Sequence, residues 1–196
     1  MMKINHFTSF VRELYQEPNE FIPLHVPVFR GKEKKYVLDT IDSTFVSSVG
    51  KYVDDVESFC ANYTKTNKGI AVVNGTAAIQ VSLRLAGVKF GDEVITQALT
   101  FVATANAIAY NNAHPVFVDV DLDTMGMSPD ALRSFLEEYG EKREGGVFNT
   151  KTGKRIAAVL PMHTFGFMCR ISEIKDICTD WGIPLVEDAA EALGSK

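Results

Sequence analysis

Cysteine is scarce in this chain, and the three present (Cys60, Cys169 and Cys178) form an odd set without a Cys-x-x-Cys pair. Such a set reads as reduced thiols in a cytoplasmic protein, not as a disulfide framework. Long apolar runs are missing too. None approaches the ~18 residues that argue for a membrane-spanning helix. The first residues, Met1-Met-Lys-Ile-Asn-His-Phe7, lack the apolar core and small-residue cleavage site of a secretory leader. Without such a leader, the sequons at Asn62-Tyr-Thr and Asn74-Gly-Thr are chance matches. Basic charge is in deficit, 20 Lys+Arg against 25 Asp+Glu for a net of −5. That argues against nucleic acid, whose affinity comes largely from basic side chains neutralising phosphates. Neither Gly-x-Gly-x-x-Gly nor a Walker phosphate loop occurs, which removes the two commonest nucleotide fingerprints. No internal repeat or low-complexity segment is found. What is present is ordinary: 46% hydrophobic and 23% charged residues over 196 positions, enough apolar surface to offset chain entropy. At roughly 150 residues per domain, the length gives one domain and a fraction.

Two rhythms divide the chain. Phe7 to Tyr15, Gly31 to Ser43 and Tyr52 to Tyr63 carry apolar residues at helical spacing. Pro23-Leu-His-Val-Pro27 between them is expected to be extended, because each proline biases its predecessor that way. From Gly69 onward, short apolar runs alternate with helical patterns. The expected strands are Ile70–Val73, Asp92–Thr96, Pro115–Asp119, Ile156–Leu160 and Ile183–Glu187. Between them, helices are expected over Thr76–Leu85, Ala103–Tyr110, Pro129–Tyr139 and Ser172–Trp181, the third capped by Ser128 with proline in its first turn. The connections are short except for the polar stretch Gly140–Lys154. This alternation predicts an α/β fold, a mostly parallel sheet flanked by helices on both faces. The helical segment is assigned to 1–66 and the α/β part to 67–196. The chain stops at Lys196, soon after a strand with no helix to cover it, so it is read as the N-terminal half of a longer protein, truncated at its C-terminus.

In open α/β sheets, ligands bind beyond the carboxyl ends of the strands. Three groups stand there. Asn74-Gly-Thr-Ala77 is a glycine turn feeding a helix, where free N–H groups and the positive helix end suit a phosphate. Phe101 lies where a loop passes into a helix, and its ring can cover a planar ligand. Val186-Glu-Asp-Ala-Ala-Glu191 places carboxylates at the end of an apolar strand, which is costly unless a cation meets them. Metal ligation is one answer, but no second His or Asp cluster supports it. A cationic ring nitrogen is a better partner, and pyridoxal phosphate (PLP) supplies the nitrogen, the ring face and the phosphate together. His163, in Pro161-Met-His-Thr-Phe-Gly166, is a fourth strand-end group, and a lone histidine there is more often structural.

At this point a resemblance becomes informative. Asn-Gly-Thr-Ala-Ala (74–78), Gly-Asp-Glu-Val-Ile-Thr (91–96), Thr-Phe-Val-Ala-Thr-Ala-Asn-Ala-Ile (100–108), Pro-Val-Phe-Val-Asp-Val (115–120) and Glu-Asp-Ala-Ala-Glu-Ala-Leu-Gly (187–194) resemble the DegT/DnrJ/EryC1/StrS sugar aminotransferases. The likeness runs in order from about Pro23 to Lys196. With Phe45–Val53 and the long N-terminal extension, it is nearest the 4-amino-sugar branch of the legionaminic acid and perosamine type. It implies the large domain of a fold-type I PLP enzyme over 67–196. It also implies a cytoplasmic homodimer that moves an amino group from a glutamate-type donor to the 4-keto carbon of a nucleotide-linked deoxy sugar, by way of PLP and its amine form PMP. By the same likeness, Gly75, Thr76 and Ala77 hold the cofactor phosphate, Phe101 stacks on the ring and Asp188 pairs with the ring nitrogen. Glu191 stands where many members carry glutamine beside the cofactor's phenolic oxygen, and a carboxylate there would repel a phenolate. His163 falls at the pocket edge as a substrate-binding residue. No metal is expected. The family's Schiff-base lysine lies further along than this chain extends, Lys196 being too close to Asp188 to serve, so the chain alone is expected to be inactive. A PLP-dependent nucleotide-sugar dehydratase and a non-catalytic regulatory protein of the same fold are the alternative readings.

Overall fold

A computed structural model describes residues 4–23 and 26–195. Leu24 and His25, within the stretch expected to be extended, lie outside the described residues, as does Lys196. By contact the chain divides into two compact units, Met1–Ala71 and Val72–Lys196.

The first unit is helical: α1 (Ile4–Tyr15), α2 (Glu33–Asp42) and α3 (Lys51–Thr64). These match the three apolar periodicities to within a few residues. None of their residues is fully buried. Tyr36 of α2 packs on Tyr52 of α3, ring centroids 4.8 Å apart, and the Tyr52 hydroxyl donates to Asp39. Among the described residues no helix is long and apolar enough to cross a membrane.

The second unit is α/β. Its elements run α4 (Gly75–Leu85), β1 (Glu93–Gln97), α5 (Val102–Tyr110), β2 (His114–Val118), α6 (Pro129–Tyr139), β3 (Gly140–Arg143), β4 (Gly146–Asn149), β5 (Arg155–Leu160) and α7 (Ile171–Trp181). The sheet order is β2-β1-β5-β4-β3, with β2, β1 and β5 parallel and the β3–β4 hairpin antiparallel. Alternating side chains of one strand feed two cores. Ile95 and Val159 join the core that also holds Leu132 of α6 and Ile174 of α7, whereas Val94 and Leu160 join Leu83 of α4 and Ile108 of α5. Helices therefore cover both faces, as a parallel sheet requires. The register slips between Glu93 and Val94, so Ala157 and Ala158 both turn to the α4/α5 side.

Three expectations need correction. Ile70–Val73 is not a strand. Ile70 and Val73 stand exposed, and no strand among the described residues pairs with them. Gly140–Lys154 is not a bare connection but carries the hairpin, turned through Glu144-Gly145 with φ +94° at Gly145, which glycine adopts without strain. Its Val147 and Asn149 face inward, at the spacing of two that a strand requires. Ile183–Glu187 is reduced to two isolated parallel bridges, Val159 to Leu185 and Met162 to Asp188. Pro161 and Pro184 lack the N–H groups a continuous ladder would use.

Candidate active site

The site lies where β1, β5 and the 185–188 segment end. The turn into α4 comes first. Asn74 is extended and caps the helix, its Oδ1 accepting the Ala77 N–H at 2.9 Å. The Gly75 and Thr76 N–H groups have no partner among the described residues. A Cβ placed on Gly75 would meet no atom within 4 Å, so space over the turn is open. Ala77 gives its N–H to the cap and does not line the cavity described below.

Past β1 the chain turns at Leu99-Thr100 and enters α5 with Phe101 at the cap position. Phe101 is 67% exposed, too much for a core residue and suited to covering a ligand. Met162, beyond β5, places its Sδ 3.4 Å from the Phe101 nitrogen. Gln97 fixes this corner from beneath. Fully buried, it donates to Leu99 O and Thr164 Oγ1 and accepts from the Met127 and Met162 N–H groups. All four hydrogen-bonding capacities of the amide are used, which ties three separate segments together.

Asp188 is buried at the end of the last segment. Its backbone bridges Pro161 O and the His163 N–H, Oδ2 accepts from Thr104 at 2.7 Å, and Oδ1 lies 3.3 Å from the Ala190 N–H. Gly75, Thr76, Phe101, Asp188 and Glu191 line one cavity of about 300 Å³, together with Met162. Residues more than a hundred positions apart thus meet at one place, and a smaller cavity of about 150 Å³ adjoins it past Phe101 and Phe165.

The two remaining sequence-based sites sit differently. His163 is buried and lines neither cavity. Its Nδ1 accepts the Cys169 N–H at 3.1 Å and its Nε2 lies 3.1 Å from Glu187. An Nδ1 that accepts the Cys169 N–H carries no proton, so the ring's proton sits on Nε2 and is donated to Glu187, and His163 is a strut between two loops. Glu191 does line the cavity, but its Oε2 accepts the Phe165 N–H at 2.6 Å. Phe165 has φ +56°, a left-handed backbone that an aromatic residue adopts at a cost, and the carboxylate holds it there.

Sequence reasoning missed Thr104 and Gln97. Each leaves a trace: a hydroxyl within the apolar Val-Ala-Thr-Ala-Asn-Ala-Ile run, and an amide closing the wholly buried strand Glu-Val-Ile-Thr-Gln.

Against known proteins, residues 27–196 match the DegT/DnrJ/EryC1/StrS aminotransferase family. EpsN of Bacillus subtilis (strain 168) is 40% identical over 174 residues, covering 89% of this chain and 42% of that protein. GDP-perosamine synthase of Vibrio cholerae is 34% identical over 174 residues, covering 89% and 43%. Among solved structures, DesI in the presence of its TDP-sugar product superposes with a TM-score of 0.70 at 28% identity, covering 93% of this chain and 43% of that one. The chain spans less than half the length of each of these relatives.

Proposed function

The chain belongs to the DegT/DnrJ/EryC1/StrS aminotransferase family, and from that premise we propose that it forms the cofactor-binding part of a nucleotide-sugar aminotransferase. Family members depend on PLP. The residues present fit that cofactor. Two unpartnered N–H groups at a helix N-terminus suit a phosphate, an exposed ring suits a planar heterocycle, and a buried carboxylate suits a ring cation, all around one cavity. This convergence carries the proposal.

In this reading, Gly75 and Thr76 hold the phosphate through their N–H groups and the Thr76 hydroxyl, aided by the positive end of α4. Phe101 covers the ring face and excludes water from it. Asp188 holds a proton on the ring nitrogen. When bound, PLP supplies an electron sink for the carbanion formed beside the amino nitrogen. Glu191 sets the Phe165 loop at the cavity rim. The division of the chain near residue 71 supports reading 67–196 as part of the PLP-binding large domain and 1–66 as a helical segment before it.

The amino group passes from a glutamate-type donor to the 4-keto carbon of a nucleotide-linked deoxy sugar, in a cytoplasmic homodimer. The printed names of the relatives, a GDP-perosamine synthase and a protein solved with its TDP-sugar product, support that substrate class. The test is to supply the complete protein with PLP, glutamate and a nucleotide-linked 4-keto-6-deoxy sugar, and to follow the visible absorbance and the products by mass. A PLP-dependent visible band and an amino sugar are expected. Loss of water from the sugar without amination would favour the dehydratase. No band, with no binding of PLP, would overturn the proposal.

A further inference from the structure

The cofactor reading leaves one buried hydroxyl without a role. Thr104, in the first turn of α5, is fully buried, with Oγ1 at 2.7 Å from Asp188 Oδ2. On its other side, Thr100 Oγ1 lies 2.7 Å from Thr104 Oγ1. An ionised carboxylate can only accept, and a hydroxyl carries one proton. Thr104 therefore donates to Asp188, which leaves its oxygen to accept from the Thr100 hydroxyl, a group that also reaches Met162 Sδ at 3.0 Å. The two oxygens of Asp188 are consequently unequal. Oδ2 is engaged in the core, while among the described residues Oδ1 has only the Ala190 N–H at 3.3 Å and keeps capacity for the cavity that Asp188 lines.

We propose that Thr104, backed by Thr100, is a positioning residue that orients the Asp188 carboxylate toward a protonated ring nitrogen. The inference rests on the PLP reading above. A buried carboxylate stripped of this hydroxyl either turns or takes up a proton, because a bare charge is costly away from water. Either response removes the partner of the ring nitrogen. Phe101 opens the same helix less than one turn earlier, so one rigid element sets both the ring cover and the carboxylate behind it.

Thr104→Val keeps the shape and removes the donor, and Thr104→Ser keeps the donor. For the wild type and both variants, the equilibrium affinities for PLP and for its carbocyclic analogue, with C–H in place of the ring nitrogen, are measured side by side. The wild type should prefer PLP. Thr104→Val should lose about tenfold of that preference, the scale of one hydrogen bond to a charged group, and Thr104→Ser should retain it. Equal weakening toward both ligands in Thr104→Val would mark a merely structural role and overturn the inference, as would an unchanged or stronger preference. A wild type that binds neither ligand, or binds both equally, sinks the ring-nitrogen role of Asp188 and this inference with it. The two failures are thus read from different proteins.

Discussion

Polar groups are buried at both ends of this sheet, but on different terms. At the amino end of β1, Asp92 accepts from Arg155 and from the Lys89 N–H, while Arg155 also donates to Gly87 O. Glu93 beside it accepts from Asn149, whose own carbonyl takes the Lys151 N–H. Every partner named there is supplied by the protein. At the carboxyl end, Asp188 has one strong side-chain partner, the Gly75 and Thr76 N–H groups have none among the described residues, and Phe101 stands exposed over a cavity. A buried carboxylate is thus no sign of function by itself. What marks the second end is unused polar capacity facing open space.

Removing Asp188 is the harshest way to sharpen this contrast. In the complete protein, Asp188→Ala should abolish transamination almost entirely, because an unprotonated ring cannot hold the developing carbanion. Asp188→Asn should be nearly as damaging, since an amide can hydrogen-bond the nitrogen but brings no charge. PLP affinity should fall roughly tenfold or more with the loss of a charge-assisted hydrogen bond. Thermal unfolding of Asp188→Ala should change little, because an imperfectly paired carboxylate at a site is commonly a stability cost. Full activity in Asp188→Ala would break the comparison at its functional end.

The opposite end should respond in the opposite way. Asp92→Ala leaves the part-buried Arg155 without its anion and should destabilise the fold by about 2 kcal/mol, less than for a fully buried pair because the arginine keeps some solvent. Asn149→Ala leaves Glu93 buried without a donor, at a cost of about 1 to 2 kcal/mol. Urea unfolding measures both. Neither change should alter PLP affinity in the folded protein. If either weakened PLP as Asp188→Ala does, the two ends would not be separable.

Much of the second unit was legible because its signals are local. Ser128 and Pro129 mark the start of α6, and the helical spacing of the other segments places their ends within a few residues. The three central strands announce themselves as apolar runs, since both faces of a parallel sheet are covered. Failures arose where pairing decides structure. Ile70–Val73 has strand composition but no neighbour, while Gly140–Asn149 has polar composition but gains β5 as a neighbour. In the first unit, periodicity located the helices and could say nothing of how fully they are buried. At the site, Gly75, Thr76, Phe101, Asp188 and Glu191 were found through motif and strand-end position, and they line one cavity. The supporting contacts were hidden, because Thr104 meets Asp188 across 84 positions and Gln97 reaches Thr164 across 67. His163 shows the converse, a strand-end residue in the expected place whose ring nitrogens are both turned to neighbouring loops.

The smallest effect is expected at the turn into α4, where side chain and backbone contributions can be told apart. Thr76→Ala removes one hydroxyl but leaves the Gly75 and Thr76 N–H groups and the helix end in place. The loss should be about 1 kcal/mol, close to fivefold in PLP affinity, the net value of one such hydrogen bond. Asn74→Ala makes the complementary change. It removes the cap on Ala77 and should lower stability by about 1 kcal/mol, while exposing a third N–H to the same space. Binding of PLP set against pyridoxal, which lacks the phosphate, separates these contributions. Thr76→Ala should weaken PLP and leave pyridoxal unchanged, because only the phosphate is held at this turn. Asn74→Ala should cost stability without the same loss of PLP affinity. Equal weakening of both ligands by Thr76→Ala would mean that the turn shapes the cavity without holding the phosphate, and the open end of the sheet would lose its anion site.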